Sequence, residues 1–287
     1  MTALIDALAA DPLFLGFATT LLGLLVGSFL NVVALRLPKM MEADWRAEAH
    51  DLLGLTPAEP PARITLTRPA SCCPACRAPI RAWQNIPVLS WLALRGRCAS
   101  CRAPISVQYP LVELASAVLS GVCAWRFGWS VQLAAALVFT WVLIAASVID
   151  LRETLLPDDL TLPLLWLGLA LSTAGVFVGM SASIWGAIAG YLSLWTIYHA
   201  FRLLTGKHGM GYGDFKLMAA LGAWFGAASL PLMLLLSSVV GAAVGIGLIV
   251  FRRHDRNVPI PFGPYIAGAG WLMLIWGAQL SGTVLPG

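Results

Sequence analysis

Residues 127–150 read FGWSVQLAAALVFTWVLIAASVID, and a contrast inside this stretch decides the fold. No Asp, Glu, Lys or Arg occurs from Phe127 to Ile149, a run long enough to cross a bilayer core that needs about 20 apolar residues per helix. The run then closes on a carboxylate, Asp150. An ionisable side chain at membrane depth is costly to keep, so its presence there reads as functional. A second carboxylate has the same setting. Asp214 lies in Gly209-Met210-Gly211-Tyr212-Gly213-Asp214-Phe215-Lys216, directly before another apolar run.

Composition agrees with a membrane chain. Of the 287 residues 59% are hydrophobic and 11% charged, with a mean hydropathy of +0.81, whereas a soluble domain carries roughly 25% charged residues. This excludes an ordinary soluble fold built around one core. The formal charge of +4 is too small to suggest a nucleic-acid partner.

Charged residues cut the chain into uncharged runs that predict eight spans. The first is Pro12 to Leu35. A second, about Gln108 to Trp125, carries Glu113 near its start, and the third is Phe127 to Ile149. Leu160 to Tyr198 supplies two helices broken near Gly179–Ser183, Leu217 to Phe251 two shorter ones broken near Gly226–Ser229, and Val258 to Gly287 the last. All of the 18 basic residues except Arg126 then fall on alternate loops. By the positive-inside rule those loops are cytoplasmic, which places both aspartates at the cytoplasmic boundary and both chain ends outside. Residues Met1 to Asp11 contain no Lys or Arg, unlike the basic start of a cleavable signal peptide, so the first span is expected in the mature protein.

Residues 36–109 form the one sizeable polar insertion. A charged, helix-prone stretch, Met40 to Leu53, leads to a Pro-rich linker around Pro57–Pro61. Cys73-Pro74-Ala75-Cys76 follows, and 21 residues later Cys98-Ala99-Ser100-Cys101. Two CxxC knuckles at that separation can set four thiolates around a structural zinc ion. Cys72 adjoins the first knuckle and competes as a ligand, although Cys73 has the better spacing. A disulfide is a weaker reading for a loop on the reducing side. Cys123, in an apolar segment, reads as a small buried hydrophobe.

Two carboxylates brought together in a partly dry site cannot both ionise comfortably and tend to share one proton. One then deprotonates a water while the other polarises a scissile carbonyl, as in soluble aspartic proteases. Gly211 and Gly213 suit such a site because residues without Cβ let a substrate backbone approach. Asp158 and Asp159 are rival partners of Asp150 and read equally well as an N-cap of the fourth span. Glu113 reads as half of an ion pair, with Arg36 or Lys216, or as a contact to a bound ligand. Asn31 reads as an interhelical hydrogen bond or a site-lining group, and the 12 tryptophans as belt or packing residues.

Together, Gly27-Ser28-Phe29-Leu30-Asn31-Val32-Val33 with Arg36-Leu37-Pro38, the paired CxxC knuckles, Ile149-Asp150 with Leu156-Pro157-Asp158, the Gly-x-Gly-Asp-x-Lys of Gly211 to Lys216, and Pro261-Phe262-Gly263-Pro264 resemble the type IV prepilin peptidases. These are the bifunctional leader peptidases and N-methyltransferases of bacterial pilus and type II secretion systems. The resemblance covers nearly the whole chain. It implies that Asp150 and Asp214 are the two catalytic aspartates and that the CxxC loop is a zinc-ribbon-like cytoplasmic region. It also implies prepilin and pseudopilin substrates with short basic leaders, and S-adenosylmethionine as methyl donor. His208 stands where the family leads one to expect an acidic residue.

The expectation is therefore an all-α polytopic membrane protein of about eight transmembrane helices, with a cytoplasmic zinc-ribbon-like loop between helices 1 and 2. Residues 1–35 would be the first helix, 36–109 the zinc-binding loop domain and 110–287 the aspartyl protease bundle. One structural zinc would sit on Cys73, Cys76, Cys98 and Cys101. Location would be the bacterial inner membrane, multi-pass, in contact with lipid, with the site facing the cytoplasm and no nucleic acid involved. The competing readings are a carboxylate-coupled transporter and a zinc-ribbon adaptor without catalysis.

Overall fold

The computed structural model describes residues 6, 8–54, 64–207, 209–252 and 261–284. The Pro-rich linker around Pro57–Pro61, Arg63, His208, Arg253, Arg256 and Pro259-Ile260 lie outside the described residues. Among those described there is no strand, and the eight long helices coincide with the eight expected segments. The chain forms two compact units, Met1–Gly128 and Trp129–Gly287.

In the first unit, α1 spans Pro12–Leu52. Asp11 starts it by accepting the N–H groups of Leu13 (2.8 Å) and Phe14 (3.3 Å) on its side chain, with Pro12 at the first helical position. The apolar run ends at Leu35, but the helix does not. It continues through Pro38 into the charged stretch, so the two segments expected to be separate are one helix of 41 residues. Pro38 removes a single backbone bond, and the following Met40-Met41-Glu42-Ala43-Asp44-Trp45-Arg46-Ala47-Glu48-Ala49 is rich in strong helix formers.

A short helix, α2 (Leu89–Ala93), follows in the insertion, and α3 (Gln108–Phe127) returns along α1. Gly23 and Gly27, four residues apart, let α3 approach closely: a Cβ at Gly27 would stand 2.7 Å from the Cα of Glu113. Asn31 donates from Nδ2 across this interface to the Tyr109 carbonyl at 3.1 Å, which decides its reading in favour of an interhelical bond.

The second unit holds α4 (Val131–Glu153), α5 (Asp158–Thr173), α6 (Met180–Thr205), α7 (Tyr212–Phe225), α8 (Leu230–Arg252) and α9 (Gly263–Val284). Ser130 accepts the Leu133 N–H at 3.1 Å and sets the start of α4 four residues beyond Phe127. The helix also runs on past Ile149, which brings Asp150 inside its last turn. The break after α7 falls at Gly226, whose φ of +79° suits a residue without a side chain. Pro157, not Asp158, is the N-cap of α5, and Asp158 and Asp159 occupy its first turn, where the helix dipole favours negative charge.

Helix α7 is the most enclosed element, with Phe215 and Leu217 to Trp224 all buried. Against it lie Gly186 and Gly190 of α6, where a Cβ at Gly190 would meet the Met218 carbonyl oxygen at 2.5 Å and one at Gly186 would strike the carbonyl of Gly222. Ser183 adds a 2.6 Å bond to the Ala223 carbonyl. On the α5 side, the Trp224 indole donates to the Leu164 carbonyl at 2.8 Å, and its ring packs, tilted by 50°, at 4.6 Å from Phe139 of α4.

Among the described residues, four helical segments are long and apolar enough to cross a membrane: Pro12–Leu52, Gln108–Phe127, Val131–Glu153 and Ala227–Leu248. The protein is a multi-pass membrane protein. Helices α5 and α7, with 16 and 14 residues, are about 24 and 21 Å long, shorter than a hydrocarbon core of about 30 Å.

The backbone contact between α6 and α7 cannot yield to an added side chain. Gly186→Ala should therefore destabilise the protein by about 1–3 kcal/mol, whereas Gly247→Ala, in open space, should change stability by less than about 0.5 kcal/mol. Thermal unfolding in detergent would read both. Equal midpoints for the two variants would refute the packing argument.

Candidate active site and metal centre

Asp150 enters the site from the last turn of α4, and Asp214 from the first turn of α7. Both are almost fully buried, at 5% and 6% exposure. They line one cleft of about 220 Å³, together with Thr154, Leu156, Gly209 to Gly211, Gly213, Pro261 and Phe262.

Among the described residues, each is held by backbone rather than by a cation. Asp150 Oδ2 accepts the N–H of Gly263 at 2.8 Å. Gly263 begins α9, so Asp150 serves that helix as a cap supplied by another helix and sits at its positive end. A Cβ on Gly263 would lie 2.7 Å from the same oxygen, so the residue must be glycine for the contact to exist. Asp214 Oδ2 accepts the Gly211 N–H at 3.2 Å, while its Oδ1 is buried without a partner among the described residues. A Cβ on Gly213 would meet Leu156 Cβ at 2.6 Å. Thr154 closes α4 with φ +50°, a left-handed conformation that is uncommon for a β-branched residue and marks the cleft wall as constrained.

Asp158 is not part of this pair. Both of its oxygens accept from Lys216 Nζ, at 2.7 and 2.6 Å, which joins α5 to α7 two residues after Asp214. Glu113 differs from its expected role. No ion pair forms on it among the described residues; its Oε2 accepts the Val88 N–H at 2.7 Å, and the Ser28 side chain also contacts it. Arg36, the expected partner, instead donates to the carbonyls of Thr65 at 2.9 Å and Pro69 at 2.7 Å. The exposed carbonyls of the insertion draw the guanidinium out, and a turn of backbone supplies the buried carboxylate with its donor. Cys123 is buried, as expected.

In the first unit the Sγ atoms of Cys73, Cys76, Cys98 and Cys101 all lie within 4.8 Å of one another. Zn–S bonds of about 2.3 Å in a tetrahedron require sulfur separations of about 3.8 Å, and Cys73 and Cys101 stand 3.8 Å apart. Cys72 is exposed and outside this cluster.

The two knuckles repeat one another, a feature that spacing alone did not bring out: CPACRAPI (73–80) and CASCRAPI (98–105). In each, the first cysteine N–H donates to the alanine five residues on, at 2.9 and 2.8 Å. The arginine after the second cysteine turns back with φ +58° or +60°, and short bridges pair Cys72 with Pro79 and Arg97 with Pro104. The N–H groups of Cys101 and Ser100 point at the Cys98 sulfur and lower that thiol to about 6, a thiolate disposition suited to metal. For Cys101 the Ala103 N–H acts downward, but neighbouring thiols and desolvation outweigh it and raise the thiol to about 11. The donor set, its separations and its repeated turns fit a four-coordinate structural zinc.

Comparison with known proteins places these features in one lineage. Residues 21–127 match the family described as Bacterial Peptidase A24 N-terminal domain, and residues 137–246 the Type IV leader peptidase family. Relatives named prepilin leader peptidase/N-methyltransferase include one from Pseudomonas aeruginosa, 55% identical over 98% of this chain and 97% of its own length. Another, from Stutzerimonas stutzeri, is 54% identical over the same shares. A third, from Neisseria gonorrhoeae, is 49% identical over 88% of this chain and 87% of its own. No solved structure matches. Two family profiles that together span most of the chain, and full-length relatives at more than half identity, show that the chain belongs to the type IV leader peptidase family.

Proposed function

We propose that the chain is an aspartic endopeptidase that removes the leader of type IV prepilins and pseudopilins and then N-methylates the newly exposed terminal residue. The observation that carries this reading is the pair of buried carboxylates, Asp150 and Asp214, brought from different helices to one open cleft. The ionised carboxylate takes a proton from water as its oxygen attacks the scissile carbonyl carbon, and the protonated one gives its proton to the carbonyl oxygen. Collapse of the tetrahedral intermediate returns a proton to the leaving nitrogen, so each group acts once as base and once as acid. Gly263 N–H and the start of α9 hold Asp150 in place for this exchange. The glycines at 209, 211 and 213 leave room along the cleft for an extended peptide.

In this reading the enzyme sits in the bacterial inner membrane with its cleft toward the cytoplasm, which the loop positions of the basic residues support. Residues 1–35 form the first helix, residues 36–109 the metal-holding loop domain, and residues 110–287 the protease bundle. Cys73, Cys76, Cys98 and Cys101 hold one zinc ion, which ties the two knuckles into a folded unit and takes no part in peptide hydrolysis. The methyl group comes from S-adenosylmethionine as second substrate. Incubating the detergent-purified protein with a prepilin and S-adenosylmethionine, then weighing the products by mass spectrometry, tests both activities together. An intact prepilin after incubation would refute the reading.

Three outcomes are specific to the residues. Asp150→Asn and Asp214→Asn should each lower cleavage by at least about 10²–10⁴-fold, whereas Asp158→Asn, which breaks only a partly exposed ion pair, should cost far less. Substantial cleavage by either dyad variant would remove that residue from the mechanism. Gly263→Ala pushes against Asp150 Oδ2, so kcat should fall by about 10²-fold with KM little changed; a change confined to KM would count against the positioning role. Metal analysis should find one zinc per chain, lost in Cys73→Ser/Cys98→Ser. Because the thiols and the carboxylates belong to separate compact units, that variant should keep partial cleavage while methylation falls further. Equal loss of both activities at unchanged abundance would overturn the division of labour.

A further inference from the structure

The segment between the two cysteine knuckles has a surface that the peptidase reading does not use. From residue 61 to residue 112 the sequence contains no Asp or Glu, and its described arginines, Arg68, Arg77, Arg81, Arg95, Arg97 and Arg102, are all exposed. None of these arginines makes an ion pair among the described residues. Between Arg81 and Arg95, a 3-10 turn (Ala82–Asn85) and α2 present Trp83, Ile86, Leu89 and Leu92 outward at 50%, 47%, 63% and 58% exposure. The same segment points Pro87 and Ser90 inward, with Ser90 Oγ donating to the carbonyls of Trp83 and Ile86 at 2.8 Å each. In water this arrangement is unfavourable, since large apolar groups face out while a hydroxyl is buried.

Its position explains it. The Val88 N–H is bonded at 2.7 Å to Glu113, which is buried and is the sixth residue of the membrane-crossing helix α3. At 1.5 Å per residue that point lies about 7.5 Å along α3 from its first residue. Val88 also has φ +59°, ψ −49°, which is unfavourable for a β-branched residue and marks the turn bonded to Glu113 as constrained. The segment is thus tied down at the depth where headgroups meet acyl chains. Apolar side chains in the middle with arginines on both flanks are what that layer selects.

We propose that residues 81–97 form an interfacial anchor. Trp83, Ile86, Leu89 and Leu92 enter the acyl boundary, and Arg81, Arg95 and Arg97 bind the phosphates of anionic phospholipids. A prepilin leader is a poor occupant for this surface, because in the reading above the leader is itself basic.

Backbone hydrogen exchange of the full-length, zinc-loaded protein tests this in nanodiscs of phosphatidylcholine alone or with phosphatidylglycerol. Residues 82–93 should exchange about tenfold more slowly in the anionic discs, and raising salt from about 0.05 to about 0.5 M should remove the difference. Arg81→Gln/Arg95→Gln/Arg97→Gln should abolish the lipid dependence while the zinc content stays at one per chain. Leu89→Ser/Leu92→Ser should speed exchange in both lipids. Identical exchange of the unaltered protein in the two lipids would overturn the proposal, and so would protection that appears only when a prepilin is added.

Discussion

Backbone contact between α6 and α7, at Gly186, Gly190 and Gly222, is the constraint on which the second unit depends. Lipid tails are as apolar as a leucine side chain, so burying hydrophobic area does little to join helices inside a bilayer. Close approach, dispersion and hydrogen bonds across small residues do that work. Helix α7 is only 14 residues long, yet it is enclosed by α6 on one side and by Trp224 against α5 and α4 on the other. Its first turn carries Asp214. For the proposed role, in which this carboxylate acts both as acid and as base, a fixed position is needed, and a short helix gripped along its length supplies one.

The aspartates are treated alike in one respect: among the described residues neither pairs with a cation. A lysine or arginine beside either would hold it ionised and remove the proton that the proposed mechanism has the pair exchange. Lys216, the nearest basic residue in sequence to Asp214, is occupied by both oxygens of Asp158. The ion pair therefore joins two helices and also engages the lysine with a carboxylate other than Asp150 or Asp214. Backbone N–H groups take over the holding task from Gly263 and Gly211, giving direction without a full charge.

Most of the helix plan was legible because charges and glycines punctuate a membrane chain. The breaks near Gly179 and Gly226 fell where expected. The extent of α1 did not, because a proline and a change from apolar to charged composition look like a boundary, although both are compatible with a helix leaving the bilayer. Asp150, Asp214 and the four cysteines could be singled out from residue type and spacing. Gly263 as the donor to Asp150, and Val88 as the donor to Glu113, were not legible, because every non-proline residue has a backbone N–H and no residue type announces which one will be used. The ion pair expected for Glu113 fails for the same reason. Asp158 presented two readings, capping and catalysis, and its partner lies 58 positions away.

The repeated knuckles also have a polymer-physical side. Each supplies two of the four clustered thiols, so neither repeat could complete a coordination shell alone, and the proposed metal would close the chain between them. Cys76 and Cys98 bracket 21 residues, and Trp83, Ile86, Leu89 and Leu92 all lie inside that ring. Closing the ring removes configurations from the open chain before any of those side chains meets a neighbour, an entropy already spent when the segment settles. A metal held there, as proposed, would thus act at a distance on residues it never touches, by shortening the list of shapes that they can take.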